Sequence, residues 1–155
     1  MIAGVAVRLA TLNDVSDIAA MSRDYIEQGL AWRWRDAKIA KAIRDPQVNV
    51  AVVGNERAVT AFGIMSYSEE DAHLLLFAVR RSSQRKGVGS ALLIWLEAVA
   101  RAAGAQRIRV EARAENVGAR CFYSEHGYHE RLLKKAMYDE KVDGVRLEKW
   151  LRSDA

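Results

Sequence analysis

Hydrophobic positions along the chain follow two periods, and together these predict a mixed α/β fold. Short apolar or alternating stretches, typical of strands, occupy residues 5–9, 49–53, 57–67, 71–79 and 107–111. In residues 15–25 and 88–99, apolar positions recur every three or four residues, which indicates amphipathic helices with one face on a core. Three strands joined by short turns between residues 49 and 79 predict an antiparallel meander.

Local signals predict where several helices begin and end. Thr11 and Asp14 form a capping-box-like start for the first helix, and Asp36 is expected to cap a second, short helix. Asn116 is the expected cap of a last helix. Gly104 lies where the long helix should end in a left-handed residue.

The strand at residues 107–113 has one apolar and one charged face. Ile108, Val110 and Ala112 share the first, while Arg109, Glu111 and Arg113 share the second. Because it follows a strand–helix unit, we expect it to run parallel to residues 71–79 through a right-handed crossover. Residues 128–137 and 145–151 are predicted to form a final hairpin that turns at Asp143-Gly144.

The resulting architecture is a mostly antiparallel, strongly twisted sheet with helices on both faces. Its two neighbouring parallel strands can splay apart at their carboxyl ends, where ligands commonly bind in open sheets. The length of 155 residues suits a single domain over residues 1–155. The sequence contains no internal repeat or low-complexity stretch.

Composition narrows the classes of function. Half of the residues are hydrophobic and 28% are charged, which is the ordinary balance of a globular protein. The net charge of +4 is modest, and no basic stripe with interleaved aromatic residues predicts nucleic-acid binding. A single cysteine, Cys121, allows no disulfide within the chain and fits the cytoplasm. No signal peptide or membrane-spanning run is evident.

The most distinctive segment is the basic turn between the apolar run at residues 74–79 and the long helix. Gly87 and Gly89 have no Cβ atom, so their backbone N–H groups can closely approach an anion at the start of the helix. Positive charge flanks them at Arg80, Arg81, Arg85 and Lys86. The turn therefore predicts a phosphate or pyrophosphate site, although it matches neither a P-loop nor a dinucleotide fingerprint.

Two motifs in the chain, the basic turn and a second stretch after residue 115, together resemble motifs of the GCN5-related N-acetyltransferases. The turn matches the pattern V-x-R-x-x-Q-x-x-G-x-G through Val79, Arg81, Gln84, Gly87 and Gly89. A second stretch is similar to N-x-x-A-x-x-[FLY]-Y-x-x-x-G-[FY], with matches at Asn116, Ala119, Phe122, Tyr123, Gly127 and Tyr128. The resemblance covers residues 74–128 and implies an enzyme that uses acetyl-CoA and needs no metal.

The resemblance also implies which residues contact acetyl-CoA. In this family the turn wraps the pyrophosphate, the strand before it pairs with the pantetheine arm, and the asparagine helix contacts that arm. The expected contacts in this chain are Phe77, Ala78, Val79, Gln84, Arg85, Lys86, Gly87, Val88, Gly89, Ser90, Asn116, Ala119, Phe122 and Tyr123.

Acetyl transfer to an amine needs a base that deprotonates the acceptor and an acid that protonates the departing thiolate. Residues 110–116 resemble the ribosomal-protein alanine N-acetyltransferase branch, which implies Glu111 as the base and Tyr123 as the acid. His73 is the alternative base, because imidazoles titrate near neutral pH. A structural alternative pairs Glu111 with Arg109 or Arg113 on the strand surface. Cys121 has no His/Asp arrangement around it and is expected to be a buried thiol without a catalytic role.

The acceptor is less well defined. Trp32 and Trp34 lie between the first two helices, where the family borders its acceptor site, so they and His73 are candidate substrate residues; the alternative is that the tryptophans cover the core. The expected acceptor is a protein N-terminus, a lysine, a polyamine or a small amine. A non-catalytic acyl-CoA-binding module is the second hypothesis. Leu93 and Ile94 widen the apolar band of the long helix and leave room for a homodimer.

Overall fold

The computed structural model describes residues 4–55 and 57–151, and the strands in this part of the chain form a seven-stranded sheet. The strands are β1 (Val7–Leu9), β2 (Val48–Asn55), β3 (Ala58–Ser68), β4 (Asp71–Val79), β5 (Arg107–Arg113), β6 (His129–Tyr138) and β7 (Val142–Trp150). The α-helices are α1 (Val15–Met21), α2 (Asp36–Arg44), α3 (Val88–Ala102) and α4 (Val117–Glu125).

The strand order is β1-β2-β3-β4-β5-β7-β6, and every neighbouring pair is antiparallel except β4 and β5. This arrangement confirms the predicted fold class, including the meander of β2, β3 and β4 and the parallel pair. The alternation predicted for β5 is also correct, because Ile108, Val110 and Ala112 are buried while the residues between them are half-buried.

Two hydrophobic clusters hold the helices to the two faces of the sheet. On one face α3 packs through Leu92, Leu93 and Leu96 against buried residues of β3, β4, β5 and β7. On the other face α1 and α2 pack through Ile18 and Ile39 against β2, β3 and β4 only. The second face of β5 and β7 is therefore lined by the polar side chains of those strands.

A buried ion pair joins α3 to the last strand within the first cluster. Glu97 is almost fully buried, and its carboxylate accepts hydrogen bonds from the Tyr128 hydroxyl at 2.8 Å and from Lys149 Nζ at 3.1 Å. Since a buried charge without partners is costly, these contacts allow a carboxylate on the core side of α3. Leu93 is also fully buried, so only Ile94, at 47% exposure, remains of the apolar band proposed for a homodimer.

One extra residue in β4 separates it from β5. Met65 pairs with Leu74 and Ile64 pairs with Leu76, so Leu75 is unpaired in a β-bulge. Pairing between β4 and β5 stops at Leu74 and Val110. Beyond that point the two parallel strands diverge, and the edge of β4 from Leu75 to Val79 has no strand partner on the β5 side.

The N-terminal helices begin largely as predicted. Thr11 and Asp14 form the predicted capping box, and Asp14 also accepts two hydrogen bonds from Arg8 at 2.8 and 2.9 Å. After α1 the chain continues through a π-helical turn, Ser22–Ile26, which the sequence did not reveal. The prediction for Asp36 is wrong, because the cap of α2 is Arg35 and Asp36 is the first helical residue.

The final hairpin turns at a different place from the one predicted. The turn is formed by Asp139, Glu140 and Lys141, and the first two of these have positive φ. Asp143 and Gly144 lie inside β7 instead. Gly144 is needed there because a Cβ atom would collide with the Met137 side chain. Among the described residues, no helix combines the length and apolar character needed to cross a membrane.

Candidate active site

A cleft of about 100 Å³ lies where β4 and β5 diverge. Its walls come from both splayed strands, the π-helical turn, α4 and the end of β6. The lining residues are Tyr25, Ile26, Leu74, Leu75, Leu76, Phe77, Val110, Glu111, Ala112, Arg113, Asn116, Ala119, Tyr123 and Tyr138. The structure therefore brings together both proposed catalytic residues, Glu111 and Tyr123, and three further predicted cofactor contacts at one opening in the sheet.

Tyr123 lies deep in this cleft on α4. Its side chain is only 5% exposed, and its ring meets Phe77, Phe122 and Tyr128 edge-on with centroids 5.4–6.2 Å apart. The hydroxyl makes no hydrogen bond to any residue that the structure describes. Burial, and then the neighbouring Tyr138, raise the pKa of Tyr123 well above its usual value. The phenol therefore keeps its proton throughout the physiological pH range and is free to donate it.

Glu111 is held at the mouth of the cleft by the side chains of His73 and Arg146. Its Oε1 lies 2.5 Å from His73 Nε2, and its Oε2 accepts a hydrogen bond from Arg146 Nε at 3.0 Å. Burial raises the pKa of the Glu111 carboxyl, but His73 and then Arg146 outweigh it, so the pKa lies below its usual value. The two candidate bases are therefore in contact with each other and form one unit.

The partners expected for Glu111 as a surface carboxylate were wrong. Arg113 instead donates from Nη2 to the backbone carbonyls of Ile26 and Gln28, at 2.8 and 2.6 Å. Arg109 forms no hydrogen bond or ion pair with the described residues, although its Nε is buried. The true partner, Arg146, is on β7 directly opposite Glu111 in the sheet register.

The basic turn has the backbone that an anion site requires. Gly87 is the N-cap residue of α3 with φ +82°, and no side chain caps the first N–H groups of the helix. Arg85 also has positive φ, and the Gln84 side chain donates to the Val79 carbonyl at 2.9 Å. Arg80 turns away from the turn and donates to the Val59 carbonyl. Uncapped amides, flanked by Arg85 and Lys86, thus remain for an anion.

The cleft and the turn are joined by close packing around Gly89. A Cβ atom at this position would lie 3.3 Å from Val79 and 3.4 Å from Phe122. Phe122 in turn stacks on Phe77 with ring centroids 5.7 Å apart. Asn116 caps α4 as predicted, because its side chain accepts from the Ala119 N–H at 3.0 Å. The second motif is therefore placed directly against the first.

The two tryptophans do not line the cleft. Trp34 packs against the α1–α2 cluster with Lys38 Nζ 4.2 Å from its ring centre, so its main contacts are those of a core-covering residue. Trp32 lines a neighbouring open depression of about 530 Å³ with Arg23, Tyr25 and Arg81, and the Arg35 guanidinium lies 4.3 Å from its ring centre. A role of either tryptophan in acceptor binding stays a prediction.

Two loops meet above the carboxyl end of β5. The Asp139 carboxylate accepts a hydrogen bond from the Ala31 N–H at 2.7 Å and forms an ion pair with Arg33. The buried Glu27 carboxylate fixes the same loop by accepting from the N–H groups of Arg33 and Trp34. Together with the Arg113 hydrogen bonds, these contacts tie the α1–α2 loop to the β6–β7 turn.

Several cleft residues gave no signal in the sequence. Tyr25 and Ile26 reach the cleft because the π-helical turn extends α1. Tyr138 lies at the end of β6, directly before a hairpin turn that comes earlier in the chain than expected. The alternation of β7 places Arg146 on the face opposite Val145 and Leu147, but its partner depends on the register with β5. Cys121, expected to be buried, is exposed because its side of α4 faces away from the sheet.

Comparison with known proteins gives a consistent result. Residues 15–128 match the acetyltransferase (GNAT) family. Over 76 residues the chain is 34% identical to MJ1530 of Methanocaldococcus jannaschii, an uncharacterized N-acetyltransferase. The match covers 48% of this chain and spans 49% of the length of that relative.

Solved structures share the fold at low identity. The ribosomal-protein-S18-alanine N-acetyltransferase from Escherichia coli superposes with a TM-score of 0.78 and 23% identity, covering 97% of this chain and 96% of its own. The structure of yncA from Salmonella typhimurium with its cofactor acetyl-CoA gives a TM-score of 0.81 and 16% identity, covering 99% and 97%. Both likenesses concern the fold.

Proposed function

Because the chain belongs to the acetyltransferase (GNAT) family, we propose that it transfers an acetyl group from acetyl-CoA to the α-amine of an acceptor polypeptide. The observation that carries this proposal is the cleft between β4 and β5, where a protonated phenol and a paired carboxylate face one opening. Direct attack of the amine requires both groups and no covalent enzyme intermediate.

The residues of this chain fit acetyl-CoA. The unpaired edge of β4 beyond Leu74 offers backbone groups to the pantetheine amides, in the way that an added strand pairs with a sheet edge. The uncapped start of α3 behind Gly87 offers N–H groups to the pyrophosphate. Asn116, Ala119 and Phe77 line the cleft beside this edge. When bound there, acetyl-CoA supplies an activated acetyl thioester.

The side chains divide the proton transfers between them. Glu111 accepts a proton from the acceptor amine, directly or through water, and the adjoining His73 Nε2 can share it across the 2.5 Å contact. Arg146 holds the second carboxylate oxygen and so fixes the direction of the first. Tyr123 donates its hydroxyl proton to the departing thiolate, since its raised pKa keeps the phenol protonated and its hydroxyl is unpaired among the described residues.

The electrostatics of Glu111 favour an α-amine over a lysine. A base whose pKa is lowered by His73 and Arg146 is weak, so it works best on an amine that is already partly deprotonated. Free α-amines have pKa values near ~8 and lysines near ~10.4, so at neutral pH far more of the α-amine is neutral. The ribosomal-protein-S18-alanine enzyme, which shares this fold, is named for a protein acceptor.

The protein should prefer a free α-amine to a lysine side chain as its acceptor. At pH 7 a peptide with a free α-amine and a blocked lysine should show a kcat/KM at least ~10-fold above the peptide with the opposite blocking. The difference should narrow as the pH rises toward 10, because lysine then loses its proton without help. Steady-state assays with the two peptides check this. Equal use of both at pH 7 would contradict the α-amine proposal while leaving acetyl transfer intact.

A second prediction concerns the turn. Gly87→Ala places a Cβ on a residue with φ +82°, which costs roughly 1–2 kcal/mol or forces the backbone to shift. We expect CoA to bind ~10-fold more weakly, because the backbone shift changes the direction of the first N–H groups of α3. Calorimetry measures this affinity. The matched control is Gly104→Ala, with φ +91° at the other end of α3. Gly104→Ala should lower the free energy of unfolding by a similar amount and leave the affinity for CoA unchanged. Equal CoA affinities of the two variants would contradict a role of the turn in binding CoA.

Release of free thiol from acetyl-CoA across a panel of amines tests the activity itself. The proposal requires acceptor-dependent release that matches the acetylated product by mass spectrometry. Tight binding of CoA without release on any amine would instead favour the non-catalytic acyl-CoA-binding module. No binding of CoA would remove both alternatives.

A further inference from the structure

One face of the C-terminal half of the sheet is polar and leads to the cleft. We call it the arginine face and define it by residues on β4, β5 and β7 that share this side: Asp71, His73, Arg107, Arg109, Glu111, Arg146, Glu148 and Trp150. The helices α1 and α2 pack over β2, β3 and β4 on this side and contribute no residue to it. Glu111 lies at one end, and Trp150, at 56% exposure, lies at the other.

The arginine face carries three arginines and three carboxylates, but its arginines are not all used in ion pairs. Its three carboxylates are already paired, Asp71 and Glu148 with Arg107 and Glu111 with Arg146. Arg109 has no ion pair with any residue in the described part of the chain, and Arg146 is bonded there only through Nε. Arg109 lies opposite Glu148 and Arg146 opposite Glu111, so the two arginines are one step apart in the register. Their unpaired guanidinium N–H groups are suited to carboxylates.

The contacts around the cleft leave this face as the approach to Glu111. The carboxyl end of β5 is bridged by Arg113, which donates to Ile26 and Gln28, and by Asp139, which holds Ala31 and Arg33. An acceptor therefore reaches Glu111 along the strands, past His73, Arg109 and Arg146. From Glu111 back to Arg107 is four residues of β5, about 13 Å of strand. That length suits several peptide residues and exceeds a single amino acid.

We infer that the arginine face binds the acceptor polypeptide itself, and that the residues following its α-amine carry carboxylates that Arg109 and Arg146 contact. This inference rests on the proposed function and adds the class of acceptor. The free amine is placed at Glu111, and the next residues run toward Trp150. Acidic side chains at the second to fourth positions meet the unpaired guanidinium groups. Basic side chains there meet like charge and are disfavoured.

Paired peptides test the inference. Two hexapeptides with the same free α-amine carry either Asp and Glu or Asn and Gln at positions two to four. The wild-type protein should acetylate the acidic peptide with a kcat/KM on the order of tenfold higher, mainly through KM, and added salt should reduce that preference. Arg109→Gln should remove most of the preference, while Arg44→Gln, which deletes an exposed charge on α2, should leave it unchanged. Equal use of the two peptides by the wild type overturns the inference.

A binding measurement separates this inference from the activity. Calorimetry of the CoA-loaded protein with each hexapeptide should show tighter binding of the acidic one, lost in Arg109→Gln, even if neither peptide is acetylated. Absence of turnover with intact selective binding would overturn the proposed function and support the docking surface. Acetylation with no difference in affinity, or a response to free glutamate equal to that of the acidic peptide, would overturn the docking surface alone.

Discussion

Tyr123→Phe is expected to lower kcat by roughly 10²-fold while CoA binds almost as tightly as before. The substitution removes one oxygen that makes no hydrogen bond to the described residues, so packing against Phe77, Phe122 and Tyr128 is retained. What is lost is a phenol proton that burial and Tyr138 keep in place at neutral pH. A departing thiolate, comparable to a cysteine with a pKa near ~8.5, is then protonated only by water.

The chain offers a matched control for this experiment. Tyr138 lines the same cleft, and burial together with the Glu111 charge raises the pKa of Tyr138 to about 12. Tyr138→Phe also removes one phenolic oxygen from this cleft, and it should change kcat by only a fewfold. Turnover and CoA affinity of both variants are to be measured under identical conditions. If Tyr138→Phe is as damaging, or Tyr123→Phe turns over normally, Tyr123 is not the acid.

The second large effect is expected at Glu111. Glu111→Gln should reduce kcat/KM by about 10²- to 10³-fold, because an amide cannot take the proton of the acceptor amine. Glu148→Gln is the control, since Glu148 is also a half-buried carboxylate paired with an arginine on the same face. It should leave turnover of a neutral peptide within a fewfold of wild type. Restoration of Glu111→Gln turnover at high pH, where the amine is already neutral, would strengthen the assignment.

Glu111 also has a pH signature in stability. The pKa of its carboxyl is lower in the folded than in the unfolded protein, because His73 and Arg146 outweigh burial. Its contribution to the free energy of unfolding is therefore present above the unfolded pKa, near ~4.3, and is lost as the pH falls through the folded pKa. The unfolding free energies of wild type and Glu111→Gln should thus converge in acid, and a constant difference would contradict this pairing.

The sequence predicted those parts of the fold that depend on local patterns. Alternation in β5 and the helical period of α3 identify one buried face each, and the caps at Thr11 and Asn116 are bonds between near neighbours. The wrong turn of the final hairpin has a different origin. Glycine favours turns, but it also serves where two chains approach closely, and only the position of Met137 shows that Gly144 serves the second purpose.

The parts of the site that could not be predicted depend on contacts between distant residues. His73, Glu111 and Arg146 meet because of the registers in which β4, β5 and β7 pair. β4 and β7 are far apart in the sequence, so spacing along the chain does not reveal these registers. Likewise, Tyr25 and Tyr138 enter the cleft through a π-helical turn and a displaced hairpin turn. Spacing along the chain therefore predicted the turn before α3 and pointed to Glu111 and Tyr123, which the structure places in one cleft, but it did not predict that Tyr25 and Tyr138 line the same cleft.

The bulge at Leu75 has a consequence for how this protein tolerates changes in length. Leu74 and Phe77 belong to the cluster beneath α3, and Leu76 to the cluster beneath α1, so the side-chain pattern of β4 is complete without the residue between them. A chain shortened by Leu75 alone would keep each flanking side chain on its present face. The two parallel strands would then be free to continue pairing beyond Leu74 and Val110, and the gap between them would close. Loss of this one residue would thus produce a more regular sheet that lacks the proposed active-site cleft.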